Sequence, residues 1–198
     1  MARIENRDPY EVFSEWYAEA AESGLKEPTA VALATADTDG QPSLRMVLLK
    51  GHGPDGFVFY TNYESRKGRE LLANPKAALT FHWMPLGRQV RVQGRVEQVS
   101  TEEADAYYAS RQRDSQIGAW ASQQSRPMET AYDLEKNVAK MALKHAVGTV
   151  PRPSYWSGFR IIPHRIEFWS EKPFRLHERI EFSRENDAAE WTNRRLFP

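Results

Sequence analysis

Cysteine is absent from all 198 residues, which excludes disulfides, a thiol nucleophile and any cysteine-ligated metal centre. Net charge is absent as well, because 27 Lys plus Arg are matched by 27 Asp plus Glu. A general nucleic-acid or membrane-surface binder needs a positive excess, so this balance argues against both, while leaving local clusters of cations free to bind small anions. No apolar run approaches the length of a membrane span. The opening residues Met1, Ala2, Arg3, Ile4 and Glu5 lack the apolar stretch of a secretory leader. A soluble, cytoplasmic protein is therefore expected. Neither a glycine-rich phosphate loop nor a dinucleotide fingerprint occurs, and His52, His82, His145, His164 and His177 are scattered without metal-ligand spacing. No metal is expected.

What is present is enough apolar material, 40% of residues, to build a folded core rather than a disordered chain. We expect a single domain over 1–198, mainly β with inserted helices, as an antiparallel barrel. Asp8-Pro9 reads as a helix N-cap and first turn, and Gly24 as its end, so a helix is expected at about 9–23. Strands are expected at 30–36, 44–49, 57–61, 77–83 and 88–99, with a loop at 51–56 and a bulge or corner at Gly94. Helical insertions at about 101–147 follow: one from the capping-box-like Ser100-Thr101-Glu102-Glu103 to about Ser110, another within 127–147. Strands return at 158–162, 165–169, 176–182 and 190–197. Hairpin order with inserted rather than alternating helices favours a barrel over a parallel sheet.

Several cations sit where elementary electrostatics disfavours them. Ser65 is a good N-cap, yet Arg66 and Lys67 occupy the first turn of its helix, which carries partial positive charge. A bound phosphate would reverse that repulsion, since N–H groups and both cations would converge on it. Two solvated surface cations are the alternative. Arg45 and Lys50 bracket an apolar strand, either snorkelling to solvent or reaching an anionic ligand. Gln89 begins the long strand 88–99 and could pair with a heterocycle edge or mark a solvent face. Tyr107, Arg111 and Ser115 recur every four residues at and beyond a helix end, a spacing suited to a phosphate clamp or to an exposed face. Read as a strand, 175–179 puts Arg175, His177 and Arg179 on one face, which calls for something anionic or electron-rich opposite them. Trp169 either stacks on a planar ligand or fills core.

In this order, these segments resemble the pyridoxine/pyridoxamine 5′-phosphate oxidase family. The resemblance rests on Arg45-Met46-Val47-Leu48-Leu49-Lys50, Phe59-Tyr60-Thr61-Asn62, Ser65-Arg66-Lys67 and Arg88-Gln89-Val90, on 110–120 and on Trp156-Ser157-Gly158-Phe159-Arg160. It closes with Ile166-Glu167-Phe168-Trp169, Arg175-Leu176-His177-Glu178-Arg179 and Arg195-Leu196-Phe197-Pro198. It implies an FMN-binding split β-barrel, a homodimer with FMN at the subunit interface, and oxidation of pyridoxamine or pyridoxine 5′-phosphate to pyridoxal 5′-phosphate, with O2 reduced to H2O2. FMN would then be held by Arg45, Met46, Val47, Leu48, Leu49 and Lys50, by Tyr60, Thr61, Arg66 and Lys67, and by Gln89, Gln124, Ser125, Trp169 and Arg179. The substrate phosphate would fall to Lys50, Tyr107, Arg111 and Ser115. Arg175, Leu176 and His177 would face the pyridine ring, with Arg175 and His177 as the catalytic pair.

Family members often carry a longer arm before the first helix, and only a few residues precede Asp8-Pro9 here, so lid contacts from such an arm are not expected. Two rivals share the flavin site: a sister FMN oxidase of the phenazine-biosynthesis type, and a non-catalytic flavin-binding protein. The second phosphate clamp, with Arg175-Leu176-His177, favours a phosphorylated pyridine over both.

Overall fold

Asp8 starts the first helix as its sequence requires: the side chain accepts from the N–H groups of Tyr10 (2.8 Å) and Glu11 (3.2 Å), with Pro9 at the first position. The computed structural model describes residues 4–198; the leader expectation rests partly on residues 1–3, outside them. Helix α1 (Pro9–Glu22) buries Val12, Phe13, Trp16 and Ala20 and ends at Ser23, ahead of Gly24 at φ +81°. Phe13 meets Phe57 and Phe81 edge-on, at 4.8 and 5.1 Å between ring centroids. Each such buried side chain contributes about 1.5–3 kcal/mol through burial.

Among the described residues, the sheet beneath has nine strands, every pairing antiparallel. They are β1 (Ala30–Ala36), β2 (Pro42–Leu48), β3 (Gly51–Gly53), β4 (Gly56–Asn62), β5 (Lys76–Trp83), β6 (Arg88–Gln98), β7 (Trp156–Ser170), β8 (Glu178–Ser183) and β9 (Thr192–Arg195). Their order is β2-β1-β5-β6-β7-β4-β3, with β8 on β7 and β9 on β8. Val31 and Leu33 on β1 and Val90, Val92 and Val96 on β6 alternate inward, giving the period-two burial of a half-buried strand.

The expected strands 158–162 and 165–169 prove to be one, β7. Its first half pairs with β4 and its second with β8, and β6 runs along both. The register slips between Gln93 and Gly94, opposite Pro163, so the strand bends rather than breaking. Gly94 permits this because a side chain there would run into the Ile162 carbonyl. The expected loop 51–56 contains the short strand β3, paired with β4.

The helices α3 (Thr101–Ser110), α4 (Arg113–Ala121) and α5 (Asp133–Lys144) all lie between β6 and β7, and α2 (Arg66–Ala73) between β4 and β5. Helix α4 was not expected from the sequence. The expected strand across 176–182 begins only at Glu178: Phe174 (φ 57°) and Arg175 (φ 60°) form a left-handed turn. Arg175 therefore does not share a strand face with His177 and Arg179, and the expected alternation across 175–179 does not form. Among the described residues, two apolar faces stand exposed, Leu44 and Met46 on β2 and Leu134 and Val138 on α5.

Candidate functional site

Strand β4, the end of β2 and helices α2 to α4 enclose a cavity of about 610 Å³. Among the described residues, Lys50, Lys67 and Arg111 line it, and no Asp or Glu does. Arg111 stands just past the C-terminus of α3, and its guanidinium lies 4.5 Å from the Trp156 ring centroid. Its Nη1 is buried without a partner, and burial lowers its pKa. A buried, unpaired guanidinium nitrogen in an acid-free pocket is a ready anion acceptor.

Tyr107 and Ser115 line the same wall, although the helix that was to gather them stops at Ser110 and α4 starts at Arg113. Tyr107 stacks on Tyr60 at 3.8 Å and 14°, and Tyr60 on Trp156 at 5.6 Å and 9°. Gly158 makes room for this stack, since a Cβ there would meet the Tyr60 ring at 2.8 Å. The Tyr60 hydroxyl donates to Glu103 (3.4 Å), which also takes Arg160 at 2.7 Å. Burial and then Glu103 push the Tyr60 phenol up to about 12, so it stays protonated.

Ser65 caps α2, accepting from the Gly68 N–H at 3.2 Å. Lys67 reaches Thr61 Oγ1 (3.3 Å) and Gln124 Oε1 (3.0 Å), both neutral. Burial first, then Arg45, lowers the pKa of its ammonium, while Glu70 opposes them. Arg45 and Arg66 do not line the cavity. Both turn to Glu70, a buried carboxylate one helical turn beyond Arg66, with Arg66 Nε at 2.9 Å and Arg45 Nη2 at 3.2 Å. The reversed charges of this helix are thus partly answered from within the chain.

Met46, Val47 and Leu48 line the cavity with Thr61 and Gln124. Leu49 does not: it is buried in the hydrophobic core. Ser125, at φ 69°, lines a neighbouring cavity that shares Gln124.

The remaining sequence candidates gather elsewhere. Register sets Gln89 opposite Trp169 and Trp169 opposite Arg179, and the His177 ring lies 4.7 Å from that of Trp169. Arg179 is held by the buried Glu167 at 2.9 and 3.1 Å and by the Phe197 carbonyl at 2.9 Å. Glu167 also takes Arg91, and these hydrogen bonds lower its pKa against the opposing effect of burial. The Lys172 N–H donates to His177 Nδ1 (3.3 Å), so a neutral His177 carries its proton on Nε2. Leu176, His177 and Arg179 line a cavity of about 250 Å³ that shares no residue with the larger one. Trp156 and Trp169 lie near opposite ends of β7.

Asn62, Gln112 and Trp156 also line the main cavity and were not singled out as site residues. Nor was Glu70, although its place four residues after Arg66 was a visible signal.

Residues 17–145 match the family model described as pyridoxamine 5′-phosphate oxidase. Residues 156–198 match the pyridoxine 5′-phosphate oxidase C-terminal dimerisation region. The pyridoxine/pyridoxamine 5′-phosphate oxidases of Brucella canis and Brucella suis are each 58% identical over 194 residues, 98% of this chain and 96% of theirs. Among solved structures, PhzG from Burkholderia lata, in complex with tetrahydrophenazine-1-carboxylic acid, aligns with a TM-score of 0.90. It is 31% identical, and the match covers 96% of this chain and 93% of that one. A pyridoxamine 5′-phosphate oxidase-related, FMN-binding protein from Nostoc punctiforme shares the split-barrel fold, with a TM-score of 0.75 at 15% identity over 97% of this chain and 99% of that one. With matched regions that together span 17–145 and 156–198 and relatives this similar over nearly its whole length, the chain belongs to the pyridoxamine 5′-phosphate oxidase family.

Proposed function

We propose that this protein is an FMN-dependent oxidase converting pyridoxamine 5′-phosphate and pyridoxine 5′-phosphate to pyridoxal 5′-phosphate. The observation that carries this reading is the acid-free cavity with three cations, one of them Arg111 with its unpartnered buried nitrogen. Such a lining suits phosphate groups and disfavours neutral ligands. The 58% identity to pyridoxine/pyridoxamine 5′-phosphate oxidases, against 31% to PhzG, favours this substrate over a phenazine precursor.

The residues fit FMN on the same grounds. Lys67, bonded only to neutral oxygens, and the Arg45–Arg66 pair offer positive charge beside the helix end capped by Ser65. Thr61, Gln124 and the β2 segment 46–48 would lie along the flavin. When bound, FMN supplies the acceptor for the hydride leaving C4′ of the substrate and passes the electrons to O2, giving H2O2.

The chain's own residues do the rest. Lys50, Tyr107, Arg111 and Ser115 hold the substrate phosphate, anchoring the ring at its far end. Tyr60 and Trp156 keep Tyr107 and Arg111 from swinging away. Arg179, fixed by Glu167, would offer a preorganised positive charge to a bound flavin. His177 presents Nε2–H, and Arg175, a poor base at neutral pH, positions the amine or alcohol.

The protein is a homodimer by this reading, in keeping with its matched dimerisation region. The two separate clusters of site residues then belong to one composite site: the cavity of one subunit faces Gln89, Trp169, Arg175, His177 and Arg179 of the other, with FMN between them. The uncovered apolar faces on β2 and α5 suit such an assembly.

Purified full-length protein supplied with FMN should turn yellow and release pyridoxal 5′-phosphate with H2O2 from either phosphorylated substrate. A yellow protein inert toward both would return the assignment to a flavin-binding or sister-oxidase role.

A further inference from the structure

Four side-chain donors converge on one buried carboxylate. Glu70, 6% exposed on α2, accepts from Thr35 of β1, from Ser43 (2.6 Å) and Arg45 (3.2 Å) of β2, and from Arg66 (2.9 Å) of its own helix. A carboxylate is normally costly to bury, and a single partner would compensate it poorly. Here both oxygens are engaged, and the donors come from three separate elements.

The arrangement leaves the arginines incompletely used. Arg66 gives Glu70 only its Nε, so among the described contacts its two terminal nitrogens are free, on a side chain 57% exposed. Arg45 is clamped harder: Nη1 donates to the Leu33 carbonyl (3.2 Å) and Thr35 Oγ1 (2.5 Å), and Nη2 to Ser43 and Glu70. Among the described residues, Glu70 is the one carboxylate that forms an ion pair with either arginine. Lys67 follows Arg66 in the first turn of the same helix. Three cations against one carboxylate leave an excess of two positive charges, the complement of a phosphate monoester dianion.

We propose that Glu70 is a positioning residue for the flavin phosphate: it aims Arg66 and locks Arg45, so that with Lys67 they form a rigid receptor whose excess charge matches the dianion. Glu70 does not touch the phosphate. It removes the rotamer freedom that two long side chains would otherwise lose on binding. This rests on the FMN reading above.

The test titrates flavin-free full-length protein with FMN and, separately, with riboflavin, which has the ring but no phosphate. Glu70→Gln keeps the shape and removes the charge. It should weaken FMN binding about 10- to 100-fold, the effect of disordering charge-assisted hydrogen bonds, while riboflavin affinity stays within about twofold. Glu70→Asp should recover part of the loss. Ser43→Ala, which removes one donor and leaves the charge, should weaken FMN alone by a smaller factor and keeps the test open should the Gln variant not fold. Unchanged or tighter FMN binding in Glu70→Gln or Ser43→Ala overturns the proposal, the tighter case meaning that Glu70 competes with the phosphate. Equal losses for FMN and riboflavin overturn it too, leaving Glu70 a general scaffold. Parental protein that binds neither flavin would instead defeat the FMN reading itself.

Discussion

Arg111 lies with its guanidinium 4.5 Å from the centre of the Trp156 ring and one of its nitrogens buried without a partner. The aromatic face holds the cation without neutralising it, as a carboxylate would. Charge is thereby delivered to a cavity that has no acid to quench it. Arg111→Ala should raise KM for pyridoxamine 5′-phosphate about 10- to 100-fold and change kcat far less, since the phosphate contact is the same in ground and transition states. Steady-state kinetics decide it, and a fall confined to kcat would reverse the roles assigned to Arg111 and Arg175.

Arg175→Ala should show the opposite pattern, losing kcat by about tenfold or more with a smaller change in KM. If the two clusters come from different subunits, each single variant spoils both sites of its own homodimer. Mixing Arg111→Ala and Arg175→Ala subunits should then restore about a quarter of parental kcat/KM, read with substrate well below KM where Arg111→Ala homodimers contribute little, because half the dimers are mixed and each holds one intact site. No recovery after subunit exchange would place both clusters in one subunit's site.

Glu70 carries a pH signature. Burial alone would raise its pKa, but hydrogen bonds from Ser43, Thr35 and Arg66, with Arg45 nearby, hold it at about 2, against 4.5 for a free Glu. A lowered carboxylate pKa adds stability that is complete above the unfolded-state value and is lost as pH falls through the folded-state value. Between about pH 4.5 and about 2 the parental protein should therefore lose stability more steeply than Glu70→Gln. Parallel denaturation midpoints across that window would contradict the paired, ionised carboxylate.

Gly94→Ala should destabilise the fold by about 2 kcal/mol or more, because its methyl would run into the Ile162 carbonyl at the bulge where β7 bends past Pro163. Thermal unfolding measures this. Gly40→Ala is the natural control, for its Cβ meets nothing within 4 Å and only the positive φ of 83° penalises it.

Much of this was legible from residues because the signals were local. The Asp8-Pro9 start, the Ser65 and Ser100 caps and the Gly94 bulge each depend on neighbours within a turn or a strand pair. Helix α4 carries little local signal, because Gln112 caps it without a side-chain hydrogen bond and Gly118 interrupts its pattern. The expected strand through Arg175 failed because Phe174 and Arg175 adopt positive φ, which no residue type there announces. Glu70 was hidden differently. Its i, i+4 relation to Arg66 is visible, but Thr35 and Ser43 join only through the β1–β2 register that sets them opposite each other. The reversed charges at Arg66 and Lys67 therefore asked the right question, and half of the answer lay in the sheet.

The most direct test of the account is a parallel assay of FMN-loaded protein on pyridoxamine 5′-phosphate and on unphosphorylated pyridoxamine, following the aldehyde product and H2O2 together. The proposed oxidase reaction predicts equal amounts of both products from the phosphorylated amine, and the proposed substrate-phosphate clamp predicts a kcat/KM lower by about a hundredfold or more for pyridoxamine. Equal kcat/KM for the two amines, or no peroxide from either, would contradict it.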